Sequence, residues 1–183
     1  ELAADENVIF FGEDVAEAGG VFAATPGLRD KYGDDRVFDT PISELALSSA
    51  AFGSAVAGMR PIVEIMFADF LFLAMDSLVN QSAKYWYLSN EQKSIPLVVR
   101  SAVGGGGGFG PIHSQVPISW FLGVPGLKIV APSTPNDAKR LLKAAIRDEN
   151  PVLFFEHKTL YSTAESREEI TGVEVLGKGR IVR

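Results

Sequence analysis

Six short runs rich in Val, Ile, Leu and Phe constrain this chain more than anything else in it: Asn7 to Phe11, Arg36 to Phe38, Pro61 to Ile65, Pro96 to Arg100, Leu127 to Ala131 and Pro151 to Glu156. Each reads as a strand, and near-continuous hydrophobicity requires cover on both faces. Parallel strands in an α/β sheet meet that requirement, whereas an antiparallel sheet with one wet side would alternate. Helical segments fall between the runs, over Glu44 to Met59, Leu71 to Leu88 and Pro135 to Arg147. The last has Ala138, Leu141, Leu142, Ala145 and Ile146 at helical spacing among lysines and arginines. The fold class expected is α/β, an open, doubly wound, mainly parallel sheet with helices on both faces. In such sheets ligands bind beyond the carboxyl ends of the strands.

Bulk properties narrow the function. The 183 residues suffice for one domain with a tail, and 46% hydrophobic against 22% charged residues is the balance of a packed globule. A net charge of -6 argues against a nucleic-acid partner, which would demand a basic surface. The absence of cysteine removes disulfides, thiolate metal sites and cysteine nucleophiles together. No apolar run is long enough for a bilayer, and the acidic start Glu1-Leu2-Ala3-Ala4-Asp5-Glu6 is unlike a targeting peptide. A soluble intracellular protein is therefore expected. Residues 1–161 read as one domain. The stretch 162–183, charged and then apolar, reads as a linker and the start of a further domain. A start without methionine and an end inside an apolar pattern suggest a fragment.

The segment Phe38-Asp39-Thr40-Pro41-Ile42-Ser43-Glu44 closes a strand, turns at a proline and delivers a carboxylate to a helix entrance. Asp39 and Thr40 are expected to accept bonds from the helix's open donors, with Pro41 in its first turn. An acidic first-turn residue is also ordinary helix chemistry. Glu13, Glu44, Phe67 to Phe70 and Gly104 to His113 all follow predicted strands, so they should converge on one sheet edge.

The run Gly104 to Gly108, with Phe109 and Gly110, satisfies a dinucleotide pattern only trivially, and Pro111-Ile112-His113 follows instead of a helix. It reads as a mobile loop able to approach a ligand, or as a plain exposed one. His113, beside Ser114-Gln115, is placed to move protons near neutral pH. His157, beside Lys158, reads as peripheral. Two histidines without cysteine make zinc a poor fit, and no nucleophile elbow is present. Aromatics in Glu64 to Phe72 could stack on a flat heterocycle, Phe70 foremost, although most would simply fill the core.

Taken together, Phe11-Gly12-Glu13-Asp14-Val15, Asp39 to Glu44, Gly58 to Glu64, Ile112 to Gln115, Pro125 to Val130 and Ala145 to Pro151 resemble one family. It is the β subunit of thiamine-diphosphate-dependent 2-oxo acid dehydrogenases, and the match runs in order over residues 7 to 161. The resemblance implies a transketolase-like pyrimidine-binding domain. It also implies oxidative decarboxylation of a 2-oxo acid, or acetoin cleavage, with acyl transfer to lipoamide. In that family the glutamate matching Glu44 holds a proton against the cofactor's aminopyrimidine, favouring the tautomer that can deprotonate the thiazolium. Similarity assigns Glu13, Ile42, Ser43, Met66 and Phe70 to the cofactor. It assigns Phe67, Ala68, Asp69, Phe70 and His113 to the substrate side, His113 handling protons during acyl transfer. Ala145, Ile146, Asp148 and Asn150 match a potassium site of several members; a polar turn is the plainer reading.

Met66 and Phe70 stand where some relatives carry glutamine and tyrosine, so those polar handles are missing. Nothing here resembles the G-D-G-type motif with which the α subunit binds magnesium and diphosphate. The chain should then hold half a site and be inactive alone. Its implied partners are the α subunit, a second β subunit and a lipoyl acyltransferase core, in the cytoplasm or, in a eukaryote, the mitochondrial matrix. Transketolase, deoxyxylulose-phosphate synthase and a non-catalytic assembly domain of the same fold remain alternatives. Aromatic residues such as Tyr85, Trp86 and Tyr87 exceed what one small domain can cover, which predicts an apolar docking face and self-association.

Overall fold

The structure, a computed structural model, describes residues 1–166 and 176–177; most of the expected terminal strand lies outside the described residues. Six strands form one sheet: β1 (Val8–Gly12), β2 (Val37–Asp39), β3 (Arg60–Phe67), β4 (Val98–Val103), β5 (Lys128–Val130) and β6 (Val152–His157). Their order is β2-β1-β3-β4-β6-β5, and every pairing is parallel. All six hydrophobic runs thus became strands, and the sheet bears out the doubly wound expectation. Helices α1 (Leu28–Tyr32), α2 (Glu44–Val56), α3 (Tyr85–Leu88) and α4 (Pro135–Arg147) lie between them.

Alternation along the strands divides the core into two layers. Ile9, Phe11, Val63, Ile65, Val99, Leu153 and Phe155 pack on one face against Leu47, Ala51 and Ala55 of α2 and against Leu71, Ala74 and Leu78. Val8, Phe10, Ile62, Val98, Val152 and Phe154 pack on the other against Ala145 and Ile146 of α4, with Leu28 and Tyr32 of α1. The amphipathic stripe of α4 therefore faces the sheet as its sequence requires. Thr134 caps it, its hydroxyl accepting from the Asp137 N–H at 3.1 Å, and Pro135 occupies the first turn.

Two expectations need correction. Leu71 to Leu88 is not one helix but a 3₁₀ segment (Ala68–Ala74), a π segment (Asp76–Ser82) and the short α3. Serine hydroxyls compete for the backbone there: Ser77 donates to Ala74 O at 3.0 Å and Ser82 to Ser77 O at 2.7 Å. The widened turn closes with Ala83 N–H donating to Leu78 O, five residues back. The second correction concerns the entrance of α2. Its N-cap is Ser43, without a side-chain cap bond, and Pro41 lies outside the helix. The Asp39 carboxylate instead accepts from the N–H groups of Ala16 (2.8 Å) and Glu17 (3.2 Å), tying the segment after β1 to the end of β2.

Candidate functional site

Two groups of side chains occupy the carboxyl edge of the sheet. The first is acidic. Glu13 follows β1 and Glu44 begins α2 after the neighbouring β2; both are buried. Burial, then the charges of Glu44 and Asp14, push the Glu13 carboxyl above the usual range. Glu13 Oε1 and, nearby in sequence to Glu44, Thr40 Oγ1 are buried without a hydrogen-bond partner. A buried acceptor lacking a donor costs free energy unless something supplies one, and an aminopyrimidine carries N–H donors of that kind. These residues therefore fit the polar edge of the thiamine ring system. Ile42, by contrast, is 80% exposed and Ser43 is also exposed, so both face outward in the chain by itself.

The second group is aromatic and basic, above β3, β4 and β6. The ring of His113 stands edge-on to Phe67 (centroids 4.8 Å) and Phe70 (5.3 Å). Phe67 in turn meets Phe109 (5.6 Å) and Phe22 (6.0 Å), and Phe22 stacks on Tyr161 (4.7 Å). Sequence reading thus placed His113 with Phe67 and Phe70, and the structure brings those three together. Ala68 and Asp69 are buried, and Met66 is half-buried. Asp69 Oδ1 accepts from the side-chain amide of Gln115 (2.8 Å) and its N–H (3.3 Å), while Asp69 Oδ2 is buried without a partner.

Two residues of this edge escaped sequence reading. Lys158 is buried, although lysines rarely are. Its ammonium donates to Gly104 O at 2.6 Å and to His113 O, and lies over the rings of Phe67 and Phe109. Burial pulls it below the ordinary lysine range, and the charge of Asp69 opposes that fall. The other is Arg100, within β4. It bonds Glu64 Oε2 (3.1 Å) and both carboxylate oxygens of Glu156, which also accepts from Tyr161 (2.8 Å). Burial, set against the Arg100 charge, leaves the Glu64 carboxyl above its usual range. No pattern of neighbours along the chain announces either residue, since their partners lie tens of positions away. His157 is exposed, with Nδ1 2.9 Å from the Thr159 hydroxyl, in keeping with its peripheral reading.

The glycine run is exposed from Gly105 to Gly110, whereas Gly104 is buried. Gly104 has a φ of +86°, and a Cβ there would lie 2.3 Å from His157 Nε2, so glycine is required. At the far end of the sheet, the residues matched to potassium are engaged within the chain. Arg60 donates to Ile146 O (2.9 Å) and Asp148 O (2.9 Å). Lys128 pairs with the Asp148 carboxylate at 2.5 Å, and Asn150 N–H donates to it at 2.9 Å. Ala145 O accepts from the Asp148 N–H. Among the described residues no cluster of three or more His, Cys, Asp or Glu could hold a metal ion, and no helix is long and apolar enough to cross a membrane.

The pyrimidine-binding domain of transketolase matches residues 1–163. The β subunit of 2-oxoisovalerate dehydrogenase from Bacillus subtilis is 52% identical over 161 residues, covering 88% of this chain and 49% of that one. The β subunit of the pyruvate dehydrogenase E1 component from the same organism is 45% identical over 185 residues, all of this chain and 57% of that one. A solved structure described as a split-gene transketolase, an inactive β4 tetramer, shares the fold with a TM-score of 0.65. It is 18% identical and covers 85% of this chain and 46% of that chain. The chain spans about half the length of the curated relatives it matches. With the match covering residues 1–163 of 183, this chain belongs to the transketolase pyrimidine-binding domain family.

Proposed function

We propose that the protein is the β subunit of the decarboxylating component of a 2-oxo acid dehydrogenase complex. The observation that carries the proposal is the buried, donor-less Glu13 carboxylate beside Glu44, in a chain 52% identical to a 2-oxoisovalerate dehydrogenase β subunit and 45% identical to a pyruvate dehydrogenase one. Bound thiamine diphosphate supplies the carbon nucleophile and electron sink that decarboxylation needs. Glu44 holds a proton at its carboxyl oxygen against the ring, and Glu13 accepts from the ring's N–H edge. Met66 and Phe70 flank the ring, with Ile42 and Ser43 contributing from the turn before α2. Phe67, Ala68 and Asp69 line the approach of the substrate, from which aromatic surface excludes water. His113, against Phe67 and Phe70, would hold or release a proton at an imidazole nitrogen on the substrate side of the site.

The diphosphate and magnesium fall to an α subunit, so the site is shared. A second β subunit and a lipoyl acyltransferase core complete the assembly, in the cytoplasm or, in a eukaryote, the mitochondrial matrix. Residues 1–161 form the cofactor domain, and 162–183 lead into a further domain. The turn of Ala145, Ile146, Asp148 and Asn150, matched by resemblance to a potassium site, already has Arg60 and Lys128 on its oxygens, so it does not fit a further cation in this arrangement.

Calorimetric titration of thiamine diphosphate with magnesium into the full-length β chain, alone and with its α partner, tests the shared site. Binding only with the partner is expected. Tight binding to β alone would overturn the division of the site, and no binding in either case would favour a non-catalytic assembly role. Turnover of a series of 2-oxo acids and acetoin by the assembled protein then fixes the substrate. Transketolase-type transfer between sugar phosphates, if found instead, would replace the dehydrogenase reading.

A further inference from the structure

The loop carrying His113 is closed at its neck. Gly104 N–H donates to Gln115 O at 3.1 Å, joining the two ends of the segment. Gln115 is held in turn by Asp69 through its N–H and its side-chain amide. Between these anchors Gly105 to Gly110 are exposed glycines save for Phe109, whose ring rests against Phe67 (5.6 Å) and Phe22 (6.3 Å). The backbone of the neck is held by one further side chain. The ammonium of Lys158 reaches both sides of the neck, donating to Gly104 O at 2.6 Å and to the carbonyl of His113 itself. Its remaining N–H has the rings of Phe67 and Phe109 at 5.2 and 5.5 Å from the nitrogen to their centroids. Those rings also touch each other, and Phe67 stands against the His113 imidazole.

We infer that Lys158 is a positioning residue that fixes the backbone of His113 at the neck of the glycine loop. An ammonium suits this role because it offers three donors in a compact tetrahedron, here two for carbonyls and one for aromatic faces. Among the described residues no carboxylate bonds this cation, and its contacts there go to the loop and the rings. Asp69 supplies the compensating charge from the other side of the neck, and its effect on Lys158 runs in that direction. His113 thereby keeps its place beside Phe67 and Phe70.

The catalytic consequence rests on the function proposed above, but the conformational one does not, and the experiment separates them. In the full-length protein, hydrogen exchange is compared between wild type, Lys158→Met and Lys158→Arg. Exchange at the hydrogen-bonded amides of Gly104, His113 and Gln115 is expected to speed up about tenfold or more in Lys158→Met, with the interior of β4 and β6 unchanged and Lys158→Arg intermediate. If Lys158→Met does not fold, Lys158→Gln, whose amide reaches at most one carbonyl, takes its place. Wild-type protection of the loop in whichever neutral variant folds would overturn the inference. In the assembled enzyme the same variant should lose kcat about tenfold while KM for the 2-oxo acid stays within about twofold, because the substrate wall is intact and only His113 has lost its fixed position. Equal loss in both constants would mark a general collapse of the site and would also overturn it. Absence of turnover in the wild type would count against the proposed function alone, since the loop measurement stands without it.

Discussion

Glu13 and Glu44 bring two carboxyl groups together in a buried corner. Burial, then the charges of Glu44 and Asp14, raise the Glu13 carboxyl above its ordinary value, so between the unfolded and folded pKa values the folded chain binds more proton there than the unfolded chain does. The stability contributed by this group is full below the unfolded pKa near 4.5 and is lost as pH rises through the higher folded value. Urea midpoints measured from pH 4 upward should therefore show a downward contribution that Glu13→Gln abolishes; an unchanged pH profile in that variant would remove Glu13 from the pair. Glu44→Gln should reduce turnover of the assembled enzyme by about 100-fold or more, the scale of a lost proton-transfer group, with the fold retained. Equal rates would end its assigned role. Arg100 makes a contrasting case. Arg100→Met strands two buried carboxylates and should cost about 3–5 kcal/mol in chemical denaturation, whereas removing the charge at Glu64 should cost far less. Glu44 and His113 were legible because short motifs surround them. Lys158 and Arg100 were not, because a buried charge is recognised by what folds around it, and a lone basic residue after a strand looks like any solvated one.

Among the elements, strands were easier to read than the helical layer above them. A buried parallel strand needs only a run of branched and aromatic residues, and all six runs met that condition. The stretch from Leu71 to Leu88 buries Leu71, Ala74 and Leu78 at near-helical spacing, so its pattern reads as one helix, but its serines redirect the backbone bonds. The Ser77 hydroxyl shares its one proton between Ala74 O at 3.0 Å and the Ser48 hydroxyl at 2.6 Å, joining the π segment to α2. Ser77→Ala should leave Ser48 with its bond to Glu44 O and cost about 1 kcal/mol, read as a shift in the urea midpoint. The expected cap at Asp39 failed for a related reason. Its carboxylate found better-placed donors at Ala16 and Glu17, partners 23 and 22 positions distant that local pattern cannot reveal. Asp39→Ala should accordingly loosen the segment after β1 and cost about 1–2 kcal/mol, while α2 keeps its length by circular dichroism.

For the molecule as a whole, the surplus of apolar surface was legible from composition and stands in the structure. Ile42, Leu45, Phe72, Leu73, Trp86, Tyr87 and Leu88 are all exposed, and all belong to segments on the α2 side of the sheet or at its edge. Sedimentation of the full-length chain should show association that a Tyr87→Asp, Leu88→Asp double variant weakens; a monomer over a wide concentration range would mean that this surface serves something else. Where the partner sits was not legible, because exposure in a sequence has no direction until the sheet gives it one. The same sheet contains one irregularity, the shift between Ile65 and Phe67 where β3 meets β4. Up to Ile65 odd-numbered residues of β3 face α2; the shift pairs Phe67 with Ala102 and turns it to the side of Arg100 and Phe22. One supernumerary residue thus decides which layer the last residue of β3 joins. Excising Met66 would remove the bulge and leave Phe67 directly after Ile65, opposite Ala102 and on the side it already occupies. A β3 that ran on regularly through Met66 would instead turn Phe67 toward α2, away from the ring cluster beside His113.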